Sequence, residues 1–120
     1  MANEINVSAS IRARKSGAQV SRGESISVTM SGDSMHHGVT SIATGGTALE
    51  HAESAAEGTV GYVWVKNLDS TNFVTLGTHS SSNHTVKLLA GEIAIFRAAG
   101  DLYGVADTSA CIVEWVSIEL

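Results

Sequence analysis

The sequence predicts an all-β fold, an antiparallel β-sandwich that fills a single domain over residues 1–120. Three observations predict it. Apolar and polar residues alternate with a period of two, which is the spacing of half-buried strands rather than of helices. Short apolar runs are bounded by Gly, Asn, Asp and Ser at the spacing of a sandwich or barrel, roughly every 8–12 residues. The chain also has no proline, so its turns fall to those same four residue types.

In chain order, residues 5–13 alternate first, with Ile5, Val7, Ala9, Ile11 and Ala13 on one face and Asn6, Ser8, Ser10 and Arg12 on the other. Lys15-Ser16-Gly17 ends that strand. Ile26, Val28 and Met30 repeat the pattern between Arg22-Gly23-Glu24 and Ser31-Gly32-Asp33, both of which have turn composition. Val39 and Ile42 mark a weaker strand. From Thr47 two readings stand. Thr47 with Glu50 three residues later is a capping-box pattern opening an Ala-rich run. A short strand through Leu49 and then a loop fits the regular strand spacing better.

Thr59 to Phe96 carries the strongest signal. Val60 to Leu68 is apolar on both faces, Val63 and Val65 on one and Tyr62 and Trp64 on the other. Such a strand is central in a sandwich or faces a partner subunit. Phe73 to Leu76, Val86 to Leu89, Ile93 to Phe96, Leu102 to Val105 and Ala110 to Ile118 follow, separated by turn residues. Some eight to ten strands result, and a jelly-roll-like topology suits that number. The expected core comprises Val7, Ile11, Ile26, Val28, Val63, Val65, Ile93, Ile95, Val113 and Trp115.

Charged residues make up 16% of the chain, low against a usual ~25%, so its polar surface is largely Ser, Thr, Asn and Gly. A surface of that kind suits burial in protein contacts. The net charge of −5 argues against nucleic-acid binding. It is unevenly placed, because Arg12, Arg14, Lys15 and Arg22 face only Glu4 within the first 22 residues. No apolar run approaches the ~20 residues that span a bilayer, so no membrane association is expected. The residues after Met1 form no secretory apolar region, and manufacture in a cytoplasm is expected.

No catalytic, cofactor or metal site is expected, and the chain is not read as an enzyme. His36 and His37 point to opposite faces of a strand and cannot chelate together. His51, His79 and His84 lack zinc-ligand spacing. Cys111, the only cysteine, lies in an apolar strand where a thiol behaves as a small hydrophobe. Tyr62, Trp64, Tyr103 and Trp115 allow a sugar-binding platform, although strand aromatics are more often core.

Three stretches carry a resemblance: Val65 to Gly77 (VKNLDSTNFVTLG), Lys87 to Ala98 (KLLAGEIAIFRA) and Leu102 to Glu119 (LYGVADTSACIVEWVSIE). Over these the chain resembles small virion proteins of tailed bacteriophages, in particular capsid cement or decoration proteins. The resemblance implies a sandwich or jelly roll that binds the outside of the major capsid protein shell. It also implies a homo-oligomer, commonly a trimer, located on the virion exterior. A head–tail connector or tail structural protein is the alternative, and a carbohydrate-binding module a more distant one. On this reading Tyr62 and Trp64 are the expected subunit contact. Arg12, Arg14, Lys15 and Arg22 are the expected shell contact.

Overall fold

The computed structural model describes residues 4–30, 35–49 and 60–119. Every regular element among them is a strand. The chain divides into two compact units, residues 1–31 and 32–120. The single sandwich expected over residues 1–120 therefore occupies the second unit, and the first forms a unit of its own.

That first unit is one long hairpin, β1 (Ile5–Lys15) and β2 (Ala18–Val28), paired in register from Ile5 opposite Val28 to Lys15 opposite Ala18. Its two-residue turn, Ser16-Gly17, has positive φ at both positions, 51° and 84°. Such a turn matches the right-handed twist of the flanking strands, and Gly17 adopts it without steric cost. The sequence places the second strand only from Ile26, with Arg22-Gly23-Glu24 as a turn. In the structure β2 runs straight through those three residues. Continuous pairing with β1 outweighs their local turn preference, and Gly23 sits opposite Ser10.

The described residues of the second unit form eight strands: β3 (Met35–Ile42), β4 (Thr47–Ala48), β5 (Val60–Asn67), β6 (Val74–Gly77), β7 (Val86–Leu88), β8 (Ile93–Arg97), β9 (Tyr103–Ala106) and β10 (Cys111–Glu119). They form two antiparallel four-stranded sheets, ordered β3-β10-β5-β8 and β4-β9-β6-β7. Chain crossings between the sheets give the eight-stranded jelly roll. Thr47 and Ala48 are strand, and Leu49 beyond them is buried. The helix-or-loop question for residues 50–57 lies outside the described residues.

Alternation sets the core. From the first sheet Ile42, Val63, Val65, Cys111, Val113 and Trp115 turn inward; from the second, Val74, Leu76, Leu88 and Ala106 meet them. Trp115 pairs with Gly38 on one side and Val65 on the other. A Cβ on Gly38 would lie 2.9 Å from the indole ring, so glycine makes the room that the indole fills. The indole Nε1 donates to Thr40 Oγ1 at 2.9 Å, which satisfies the one polar atom the ring buries.

Four expected core residues lie outside. Ile93 and Ile95 are 59% and 37% exposed because β8 turns Ala94 and Phe96 inward instead. Ile11 and Ile26 are 70% and 46% exposed, although Ile5 on the same face of β1 is buried; within their own unit β1 and β2 form a single two-stranded layer. Val7 and Val28 are half-buried. Val63, Val65, Val113 and Trp115 are core as expected.

Candidate interaction surfaces

The register of the first sheet also fixes its outward face. One row across it reads Met35, Ile118, Tyr62 and Arg97; the next reads His37, Val116, Trp64 and Ile95; a third reads Val39, Glu114, Lys66 and Ile93. Ile112 extends the face beyond them. Most of these side chains are apolar, and Met35, Val39, Ile93 and Ile112 are each about half exposed or more, at 65%, 60%, 59% and 49%. Leaving such area in water forgoes about 25 cal/mol for every Å² that a partner would cover. A contiguous apolar face of this kind marks an interaction surface. Its polar members are His37, Glu114, Lys66 and Arg97, of which His37 Nε2 and Glu114 Oε2 lie 2.8 Å apart. The outward face of the second sheet is smaller and more mixed, with Thr75, Lys87, Tyr103 and Val105.

Tyr62 and Trp64 both lie on the outward face of the first sheet and are half-buried. The four aromatics that might have formed a sugar platform do not converge. Trp115 is core, and Tyr103 belongs to the other sheet.

The hairpin carries two unlike faces. Opposed pairs place Val7 with Ile26, Ile11 with Arg22 and Ala13 with Val20 on one face. Ile11, Val20 and Ile26 there are 70%, 67% and 46% exposed. The other face is polar: Ser8 Oγ bonds Ser25 Oγ at 2.9 Å, and Ser27 Oγ donates to Asn6 Oδ1 at 3.0 Å. The four expected shell-contact residues are thereby divided. Arg12 and Arg14 stand on the polar face, opposite Ser21 and Gln19. Lys15 and Arg22 stand on the apolar one. Arg22 pairs with Glu24 at 3.2 Å, a pair too exposed to contribute much stability.

The three stretches behind the resemblance meet at one end of the sandwich. Asn67 is fully buried. Its Nδ2 donates to the carbonyls of Asn72 (2.9 Å) and Leu88 (3.1 Å), and its Oδ1 accepts from the Asp69 amide at 2.9 Å. Its own backbone bonds Glu92 and Gly91. Asn72 reaches on to Thr108 and Ser109. The Asn-Leu-Asp, Ala-Gly-Glu and Asp-Thr segments are thus tied into one network of turns, a structural role for what the sequence offers as a family signature. Asp69 caps the turn by accepting from the amides of Asn72 (2.7 Å) and Thr71 (3.0 Å), and these bonds, the Asn72 one foremost, hold its carboxyl below the usual range.

Cys111 is fully enclosed. Burial, and after it the charge of Asp69, raises its pKa and keeps it a thiol. His36 and His37 face opposite sides of β3, inward beside Ser117 and outward beside Val116. In the loop between β6 and β7, His84 Nε2 donates to the His79 carbonyl at 2.7 Å, while His79 Nδ1 accepts from the amides of Ser81 and Ser82. Among the described residues no three His, Cys, Asp or Glu side chains gather to hold a metal ion. His51 lies outside those residues. A shallow cleft of about 370 Å³ opens where Thr78, Asn83, Phe96, Arg97 and Leu102 meet. Among the described residues no helix is long and apolar enough to cross a membrane.

Fold and surfaces together define a jelly-roll protein with an apolar sheet face and a separate basic hairpin. No family model matches the chain, and comparison with curated proteins and with solved structures likewise returns no match.

Proposed function

We propose that this chain is a capsid cement, or decoration, protein of a tailed bacteriophage, which binds the outer surface of the major capsid protein shell as a homo-oligomer, commonly a trimer, and stabilises it. The observation that carries this reading is the outward face of sheet β3-β10-β5-β8, where Tyr62 and Trp64 sit among exposed aliphatic side chains. It gives the subunits a surface on which to associate. The jelly-roll topology and the three stretches that resemble phage virion proteins support it further. An oligomer meeting several shell sites in fixed geometry converts weak single contacts into tight attachment, with no catalysis and no cofactor. The polar hairpin face supplies Arg12 and Arg14 for acidic groups on the shell, with Lys15 and Arg22 on its reverse.

The test is co-sedimentation of the purified chain with assembled shells and with unassembled capsid subunits. Binding to shells alone, weakening as salt rises, is the expected result. Equal binding to free subunits, or no binding to shells, would count against it. Copy number in a purified particle separates this reading from a neck or tail protein. A shell-wide number supports the capsid, and a single ring's worth supports the neck or tail.

A further inference from the structure

We infer that the free edge of β8 takes an added β-strand, an extended peptide segment of another protein chain, and that one aliphatic side chain of that segment enters the cleft beside Phe96 and Leu102. The inference stands apart from the capsid reading, since it concerns an edge of the sandwich and not its faces.

Register shows which backbone groups are left over. β8 ends the sheet order β3-β10-β5-β8, so β5 pairs with one of its sides only. The Ala98 amide donates to the Gly61 carbonyl at 2.9 Å, and the Asn67 amide donates to the Glu92 carbonyl at 3.0 Å. Both bonds fit one antiparallel register, in which hydrogen-bonded and non-hydrogen-bonded pairs alternate. Glu92, Ala94, Phe96 and Ala98 therefore turn their peptide groups toward β5. Ile93, Ile95 and Arg97 turn theirs the other way, to an edge that no strand among the described residues pairs. A row of N–H and C=O groups at strand spacing is complementary to another extended backbone. Edges are commonly blunted by shortness or by charge, and those of the second sheet are: β4 has two residues, and β7 has three with Lys87 at its centre. β8 has five, and its only charge is the terminal Arg97.

The cleft makes this edge selective. Its volume of about 370 Å³ lies in the usual range of ligand sites, roughly 300–1,000 Å³. Of the two edge strands of this sheet, β8 is the one that lines it, through Phe96 and Arg97, while Leu76, Val86 and Leu102 add apolar surface. One wall is fixed before any ligand arrives. A Cβ on Gly77 would come within 2.6 Å of the His84 ring, and that ring is held by Thr75 Oγ1 and by the His79 carbonyl. An added strand alternates its side chains as β8 does. Those beside Ala94 and Phe96 face the sandwich interior, where the cleft receives an aliphatic group. Those beside Ile93, Ile95 and Arg97 lie on the outward side. No described carboxylate pairs with Arg97, so an acidic side chain is the fitting neighbour there. The recognised segment thus carries an acidic residue next to an aliphatic one. Backbone bonds to the edge supply affinity, and the cleft and Arg97 supply choice.

The probe is a set of acetylated, amidated hexapeptides that alternate threonine with valine, leucine or phenylalanine, each made with glutamate, glutamine or lysine at one threonine position. The ¹⁵N-labelled full chain is titrated with each, and amide exchange with solvent is followed residue by residue. At least one glutamate peptide is expected to bind. At roughly ten times its dissociation constant, the Ile95 and Arg97 amides should exchange roughly tenfold more slowly. Those of Phe96 and Ala98, already turned to β5, should change little. N-methylating one alternating set of peptide nitrogens should abolish binding and methylating the other should spare it, because only one edge of the peptide meets β8. Ile95→Pro should also abolish binding, since it removes an N–H that no strand of this sheet accepts, and proline is tolerated on edge strands. Arg97→Glu should move the preference from glutamate to lysine by roughly two- to fivefold. The inference is overturned if no peptide of the set binds at ~1 mM. It is overturned equally if binding leaves the Ile95 and Arg97 amides exchanging as before, or if both N-methylated forms bind as well as the parent peptide. Should Ile95→Pro fail to fold, the N-methylated peptides make the same test on the unaltered chain.

Discussion

The hairpin and the sandwich are written in the same alternating code and end in opposite states. In β1, Ile5, Val7, Ala9 and Ile11 repeat as regularly as Val63 and Val65 in β5 or Val113 and Trp115 in β10. Yet Ile11 is 70% exposed, while Val65 and Val113 are fully buried. Period-two patterning says which side chains share a face. Whether that face is covered depends on a second layer, which β5 and β10 find in sheet β4-β9-β6-β7 and the hairpin unit does not contain.

Substitutions in the two regions should therefore differ sharply. Trp115→Ala is expected to destabilise the sandwich most, by about 3–5 kcal/mol, because it empties a cavity beside Gly38 that no neighbour is placed to fill. Urea unfolding followed by circular dichroism would measure it; an unchanged midpoint would mean that the indole is not part of the core. Asn67→Ala comes next, at about 1–3 kcal/mol, since it leaves the Leu88 carbonyl without its bond from the Asn67 amide inside the turn network. Its midpoint in the same assay should fall between those of Trp115→Ala and the parent.

Asp69 contributes a smaller, pH-dependent share. Its carboxyl is held below the ordinary value of 3.8, so its stabilisation is present above that pH and is lost as pH falls through the lower folded value. Asp69→Ala should lower the melting temperature at neutral pH and flatten its acid dependence below pH 3.8. A parallel acid limb in parent and variant would remove that assignment. The smallest effect is expected for Ile11→Ser in the dilute free chain, within about 0.5 kcal/mol of the parent, as for surface substitutions generally. A loss of several kcal/mol there would show that the hairpin face is already covered in the monomer, and would erase the contrast between the regions.

Much of the fold was legible in the residues. The strands from Val60 onward fall close to their expected places because apolar runs there are sharply bounded by turn residues. β2 was harder, because Arg22-Gly23-Glu24 looks like a turn in isolation and becomes strand only by pairing with Ser10 and its neighbours. Ile93 and Ile95 were misplaced for a related reason. Two aliphatic isoleucines look more core-like than Ala94 and Phe96 in the sequence, but register with β5 sends the isoleucines outward beside Trp64 and Lys66. The basic cluster was visible as four residues, whereas its division over two faces needed the cross-strand register. Asn67 gave a weaker sign: a polar residue ending an apolar strand and followed two positions later by Asp, spacing that fits a side-chain-capped turn.

The strand order also sets a timetable. β10 lies between β3 and β5 in its sheet, so this central strand is synthesised after every other described strand of the sandwich. Until Cys111–Glu119 emerges, β3 and β5 have no common partner, and sheet pairing must wait on a loop closure spanning residues 42–111. Contacts so distant in sequence fold slowly, on a scale of milliseconds to seconds. The hairpin at the other end of the chain needs only its own two-residue turn and closes in about 1–10 μs. A nascent chain would hold a finished ribbon while the sandwich is still open, its apolar strands exposed to neighbouring chains for as long as synthesis of β10 takes.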